Sequence, residues 1–186
     1  MAIKKVALVI AHDGFQPIEY GNTKKEIEKA GYHVLTVSDK PGIARATDGT
    51  SVSVDSTLYD VTLDELAGFF LIGGSDALEH LDHTRTQQLA QEANNADLPL
   101  GAICISVRIL AKADVLVQRK ANGWDGDNAL DGIFQEHGVI REHKDVVVDK
   151  NMITAEGPHA ATEFGKKIVE LLKERERFDM ESKRRK

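Results

Sequence analysis

The chain has 186 residues, enough for one domain with a full core, and its formal net charge of −6 argues against nucleic acid as a partner. A single cysteine excludes an intramolecular disulfide framework and suits a reducing, cytoplasmic setting. The first apolar run is about six residues long, with Asp13 close behind, too short for a signal peptide or membrane span, so no membrane association is expected.

That run, Lys5 to Ala11, is nearly all aliphatic, as in a strand of a parallel sheet covered on both faces. The loop HDGFQP follows, and Pro17 suits the first turn of a helix running from Ile18 to Ala30 and stopping at Gly31. Tyr32 to Ser38 reads as the second strand, completing a βαβ start. Asp39 to Gly49 reads as a loop, and Thr50 to Val54 alternates like a short edge or hairpin strand. Gly68 to Ile72 is a buried strand ending in Gly73-Gly74-Ser75-Asp76, and Thr84 to Ala96 is an amphipathic helix.

Leu100 to Ile103 is an uncharged strand-length run, and Cys104 follows at once. From Ile105 the pattern turns helical, with Val107, Leu110 and Ala111 on one side and Arg108 and Lys112 turned away. Val115 to Asn122 fits another strand, and Asp127 to Glu136 a helix stopped by His137-Gly138. Val146 to Val148 and Met152 to Ala155 read as a strand pair across Asp149-Lys150-Asn151. A last helix starts near Pro158, with Phe164, Ile168, Leu171 and Leu172 at helical spacing. The folded domain is read as 1–173 and the charged stretch 174–186 as a frayed or disordered tail.

Alternating strands and helices predict a single-domain α/β three-layer sandwich: a largely parallel sheet with helices on both faces. Chemistry in such sheets gathers outside the carboxyl ends of the strands. The loops after Ala11 and Ile72 and the turn at Cys104 qualify. At a strand-to-helix turn, free N–H groups point at the side chain and favour a thiolate. The other reading of Cys104 is a small buried apolar filler.

Four segments carry a resemblance: DGFQPIE with Glu19, FFLIGG with Gly73 and Gly74, AIC with Cys104, and VVVDKNMITAEGP before the last helix. With them the chain resembles the ThiJ/PfpI superfamily, whose flavodoxin-like fold is related to class I glutamine amidotransferases. The resemblance implies a reactive thiol at Cys104 with Glu19 beside it. It also implies an oxyanion corner formed by backbone N–H groups around Gly73, Gly74 and Ile105. Two anions in contact repel, so beside a thiolate Glu19 would be protonated, its pKa raised.

The chain departs from the superfamily pattern at Ile105-Ser106-Val107, where many members have histidine, glycine and proline. The protease-like triad is thus absent and peptidase activity is not expected. Trp124 stands where some members supply a second histidine, and it is a candidate pocket wall. His12, Asp125 and His159 are further pocket candidates.

The resemblance implies glyoxalase- or deglycase-like hydration or rearrangement of small reactive carbonyl compounds. Its alternatives are a redox-sensing or chaperone-like stress protein with an oxidisable Cys104, and an isocyanide-hydratase-like enzyme. No cofactor is expected, as neither a dinucleotide fingerprint nor a P-loop is present. No metal is expected either. Asp125, Asp127 and Glu136 have calcium-loop spacing, but Ala129 and Leu130 occupy the positions of a ligand and the required glycine. His80 and His83 fit a solvated loop. The expected partners are a small electrophile and, from the resemblance, a second copy of the chain.

Overall fold

The structure is a computed structural model that describes residues 5–184. In chain order the strands and helices are β1 (Lys5–Ile10), β2 (Asp13–Phe15), α1 (Pro17–Lys29), β3 (His33–Ser38), β4 (Ile43–Ala46), β5 (Ser51–Ser53), β6 (Ser56–Thr57), β7 (Leu66–Leu71), α2 (Ala77–Leu81), α3 (Thr84–Asn95), β8 (Leu100–Ile103), α4 (Val107–Lys112), β9 (Lys120–Ala121), α5 (Leu130–Glu136), β10 (Ile140–Arg141), β11 (Val146–Asp149), β12 (Met152–Ala155) and α6 (Ala161–Arg184).

Seven strands form the central sheet in the order β11-β12-β8-β7-β1-β3-β6, and only the β11–β12 pair is antiparallel. Strands β1, β7 and β8 are fully enclosed almost throughout, which is why they read as unbroken apolar runs. Helix α1 packs with α6 over one set of strands, while α3 and α4 pack together over β7 and β8. Phe70 of β7 meets Phe164 of α6 edge-on, with ring centroids 6.2 Å apart, fixing the last helix to the sheet.

From β1 the chain moves one way to β3 and β6, then returns to the other side of β1 and continues through β7, β8 and β12. The reversal falls between β1 and β7. At such a switch point the loops leaving neighbouring strands diverge and open a crevice.

The structure departs from the sequence pattern in several places. Part of the expected loop Asp39 to Gly49 is strand β4, which pairs with both β2 and β5 in a small separate sheet. Only Lys120 and Ala121 of the expected strand Val115 to Asn122 pair with a neighbour; the earlier residues form turns in which Gln118 has φ of +57°. Arg108 is buried rather than turned out. Its helix is covered apart from Lys112, which is turned out as expected, since Val107, Ile109, Leu110 and Ala111 are enclosed as well.

His80 lies on α2 rather than in a solvated loop, with Nδ1 2.8 Å from Asp39 Oδ2. The stretch read as a frayed tail continues as helix through Arg184; residues 185 and 186 lie outside the described residues. Strong helix formers dominate it, and Arg175 donates to both the backbone oxygen and Oδ2 of Asp97 at 2.7 Å. An i,i+4 pair between Arg175 and Asp179 at 3.3 Å adds to this.

Candidate active site

Three loops at the carboxyl ends of β1, β7 and β8 converge on one point. The first enters α1, where Gln16 is the N-cap: its side chain accepts from the Ile18 N–H at 2.9 Å, and Pro17 opens the helix. Glu19 therefore sits in the first turn, facing inward. It is fully buried, whereas a first-turn glutamate is ordinarily solvated. The Gln16 N–H donates to the Gly73 carbonyl at 2.9 Å, tying this loop to the end of β7.

Gly73 and Gly74 supply that second loop. The Gly73 N–H donates to Glu19 Oε2 at 2.8 Å. A Cβ at Gly73 would fall 2.5 Å from Cys104 Cβ and 2.7 Å from Glu19 Oε2, so only glycine lets carboxyl and sulfur meet here. Gly74 has φ of +146°, in the region glycine favours, and bridges to Phe15.

Cys104 supplies the third. It leaves β8 with φ of +64°, an uncommon conformation for a side-chain-bearing residue, and a 3-10 turn, Cys104–Ser106, carries the chain into α4. The elbow is held from two sides. Ser106 Oγ donates to the Ile72 carbonyl at 2.8 Å, and the Trp124 N–H donates to the Cys104 carbonyl at 3.3 Å. Cys104 remains partly exposed, which rejects the reading of a sealed core filler.

The electrostatics set two opposing effects on the sulfur. Backbone N–H groups of Ile105 and Gly74 reach the sulfur and pull its pKa down. Burial and the Glu19 carboxylate outweigh them, and the thiol is pushed up to about 12. Burial likewise pushes Glu19 up to about 7, against the opposing hydrogen bond from Gly73. Carboxyl and thiol also interact with one another, yet Glu19 Oε1 is left buried without a hydrogen-bond partner of good geometry. Burial thus raises both members of the pair above their ordinary values, while the backbone N–H groups around them pull the other way.

A cavity of about 400 Å³ opens over the pair, lined by Gln16, Glu19, Gly74, Ser75, Cys104, Ile105, Trp124 and Pro158. Of the predicted site residues, Cys104, Glu19, Gly74, Ile105 and Trp124 come together at it. Gly73 lies behind, and its N–H is already committed to Glu19 rather than free for an oxyanion.

The other three candidates do not line it. His12 Nδ1 lies 3.0 Å from Asp13 Oδ2. Asp125 is engaged by the Leu130 N–H at 2.9 Å and by Arg141 at 2.7 Å. His159 is exposed, 3.6 Å from Asp145 and 4.0 Å from Glu156. Asp145, Glu156 and His159 form the one triad with metal-ligand spacing among the described residues. Sequence reasoning missed Gln16, Ser75 and Pro158 as lining residues. Ser75 adjoins Gly74, Pro158 adjoins His159 and Gln16 lies within DGFQPIE, so the motifs had marked the right loops.

A cysteine on a strand-to-helix elbow beside the switch point of a mostly parallel sheet, with a buried carboxyl against it, defines an α/β protein built to present one sulfur. The chain belongs to the DJ-1/PfpI family, which its sequence matches over residues 4–171. An uncharacterized protein, MJ0967, of Methanocaldococcus jannaschii is 32% identical over 169 residues, covering 90% of this chain and 82% of that one. A Pyrococcus abyssi protein named Deglycase PYRAB04690 is 26% identical over 168 residues, covering 89% and 98%. The crystal structure of a ThiJ/PfpI domain protein from Brachyspira murdochii superposes with a TM-score of 0.87 at 26% identity, covering 92% and 98% of the two chains.

Proposed function

We propose that the protein is a cytoplasmic enzyme that acts on small reactive carbonyl compounds, with Cys104 as nucleophile and Glu19 as base and then acid. The observation that carries this reading is the meeting of a partly exposed sulfur and a buried, titratable carboxyl beneath one cavity. As sulfur bonds to the aldehyde carbon, the thiol proton passes to Glu19 and the carbonyl π electrons move to oxygen. That oxygen takes the proton back from Glu19, leaving a hemithioacetal. The N–H groups of Gly74 and Ile105 stand beside the sulfur and stabilise negative charge developing there.

For a ketoaldehyde, Glu19 then moves the proton of the former aldehyde carbon to the adjacent ketone carbon while the hydroxyl proton of the hemithioacetal passes to the ketone oxygen, giving a hydroxy thioester. Water cleaves the thioester, restores the thiol and releases a 2-hydroxy acid. Ketoaldehyde plus water gives product with no outside oxidant. A relative called a deglycase is in keeping with this reading.

The test is a panel of small aldehydes and ketoaldehydes, methylglyoxal included, run on the wild type beside Cys104→Ser and Glu19→Ala. Each variant is expected to lose at least about 100-fold in kcat/KM, with an unchanged fold by circular dichroism. Full activity in the serine variant would overturn the mechanism.

A further inference from the structure

The chain contains one tryptophan, and it forms a wall of the cavity beside Cys104. Arg108 holds it. Only 4% exposed, its guanidinium carbon lies 5.5 Å from the centroid of the indole, and one nitrogen donates to the Trp124 carbonyl at 3.3 Å. The same guanidinium forks the Asp127 carboxylate with bonds of 2.9 and 2.6 Å, and it lowers the Asp127 pKa to about 2. Behind the ring, a Cβ at Gly126 would fall 2.7 Å from Cε2 of the indole, so the loop closes against it only because glycine is there.

This clamp has an electrostatic consequence. The charge of Arg108 is neutralised by Asp127, and among the described residues no cationic side chain lines the cavity. Its ionisable lining groups are Glu19 and Cys104. An electrophile carrying a carboxylate or phosphate would shed its hydration, find no counter-charge and meet the carboxylate of Glu19. A flat apolar substituent would instead rest on the fixed indole.

We infer that the cavity selects the electrophiles that reach Cys104 in two ways: Trp124, positioned by Arg108 and Asp127, favours uncharged ones with a flat apolar or aromatic substituent, and the lack of a counter-charge beside Glu19 turns anionic ones away. This deepens the proposed function and rests on its reactive Cys104.

The test needs no turnover. Alkylation of the lone cysteine by iodoacetamide, 2-iodo-N-phenylacetamide and iodoacetate is followed by intact mass, each rate divided by that of the same reagent with free cysteine. In each case an S–C bond forms, iodide leaves and the thiol proton passes to a base. The phenyl amide is expected to exceed iodoacetamide by roughly five-fold, and iodoacetamide to exceed iodoacetate by about ten-fold or more.

Trp124→Ala should abolish the phenyl advantage while keeping the amide-to-acetate ratio, and Trp124→Phe should restore most of it. Arg108→Met combined with Asp127→Asn removes both charges together. It should red-shift the emission of the sole tryptophan and bring the phenyl advantage down towards one. Arg108→Lys keeps the charge but loses the planar fork, and should do the same to a smaller extent. No phenyl preference in the wild type, or unchanged emission and ratio in both folded clamp variants, overturns the inference. Normal alkylation ratios without carbonyl turnover would overturn the proposed function alone, and a wild-type Cys104 inert to all three reagents would overturn both.

Discussion

Glu19 owes its chemistry to where a helix begins. Gln16 and Pro17 start α1 so that its first-turn carboxyl faces inward, and burial then raises the pKa to about 7 from a reference of 4.5. The folded protein therefore holds this proton more tightly than the unfolded chain does. The resulting stabilisation is complete below about pH 4.5 and is lost as pH rises through about 7. Carboxylates whose pKa is lowered, such as Asp39 and Asp125, push the other way, so the comparison must be made between variants. Glu19→Gln keeps an acceptor for the Gly73 N–H and removes the titration. Between pH 4.5 and 8 it is expected to gain about 3 kcal/mol relative to wild type, read from urea melts across the range. A pH-independent difference between the two proteins would show that Glu19 is not the titrating group.

At the scale of the element, the elbow and the helices behind it work as a unit. Cys104 departs from ordinary backbone geometry only because β8 is locked between β7 and β12 and because Ser106 anchors the turn to Ile72. Helix α6 covers one face of the sheet, with Phe164 fully buried against Phe70. Phe164→Ala is expected to cost about 3–5 kcal/mol, since the cavity left between helix and sheet cannot close without moving both. Chemical denaturation reads this as a lowered midpoint with an unchanged slope. A loss below about 1 kcal/mol would mean that α6 repacks freely. The charged end of the same helix is a contrasting case: Phe178 there is 67% exposed and contributes little burial.

For the whole molecule, the governing fact is the reversal of strand order between β1 and β7, which brings residues 19, 73, 74 and 104 to one crevice although they are far apart in the chain. Among the described residues no helix is long and apolar enough to cross a membrane. We expect the chain to associate as a homodimer in solution, and sedimentation equilibrium showing only monomer across the micromolar range would refute it.

Much of this was legible in the sequence. The unbroken runs at Lys5 to Ala11, Gly68 to Ile72 and Leu100 to Ile103 predicted enclosed strands, because burial on both faces leaves no polar alternation. The abrupt change of period at Cys104 placed the elbow. Motifs of the loops then brought forward Glu19, Gly73, Gly74 and Cys104. What the chain alone did not disclose was how charges are partnered. Arg108 reads as solvated from its own helix, and only the packing of neighbouring helices shows that no outer face remains for it. Asp127 and Trp124 become its partners through a fold-back of the following loop. The electrostatics of Cys104 are likewise set in three dimensions: helix amides favour a thiolate, and burial beside Glu19 opposes them. Hydrophobic period is a local property and survives in the sequence, whereas desolvation and charge pairing depend on which distant groups share an enclosed space.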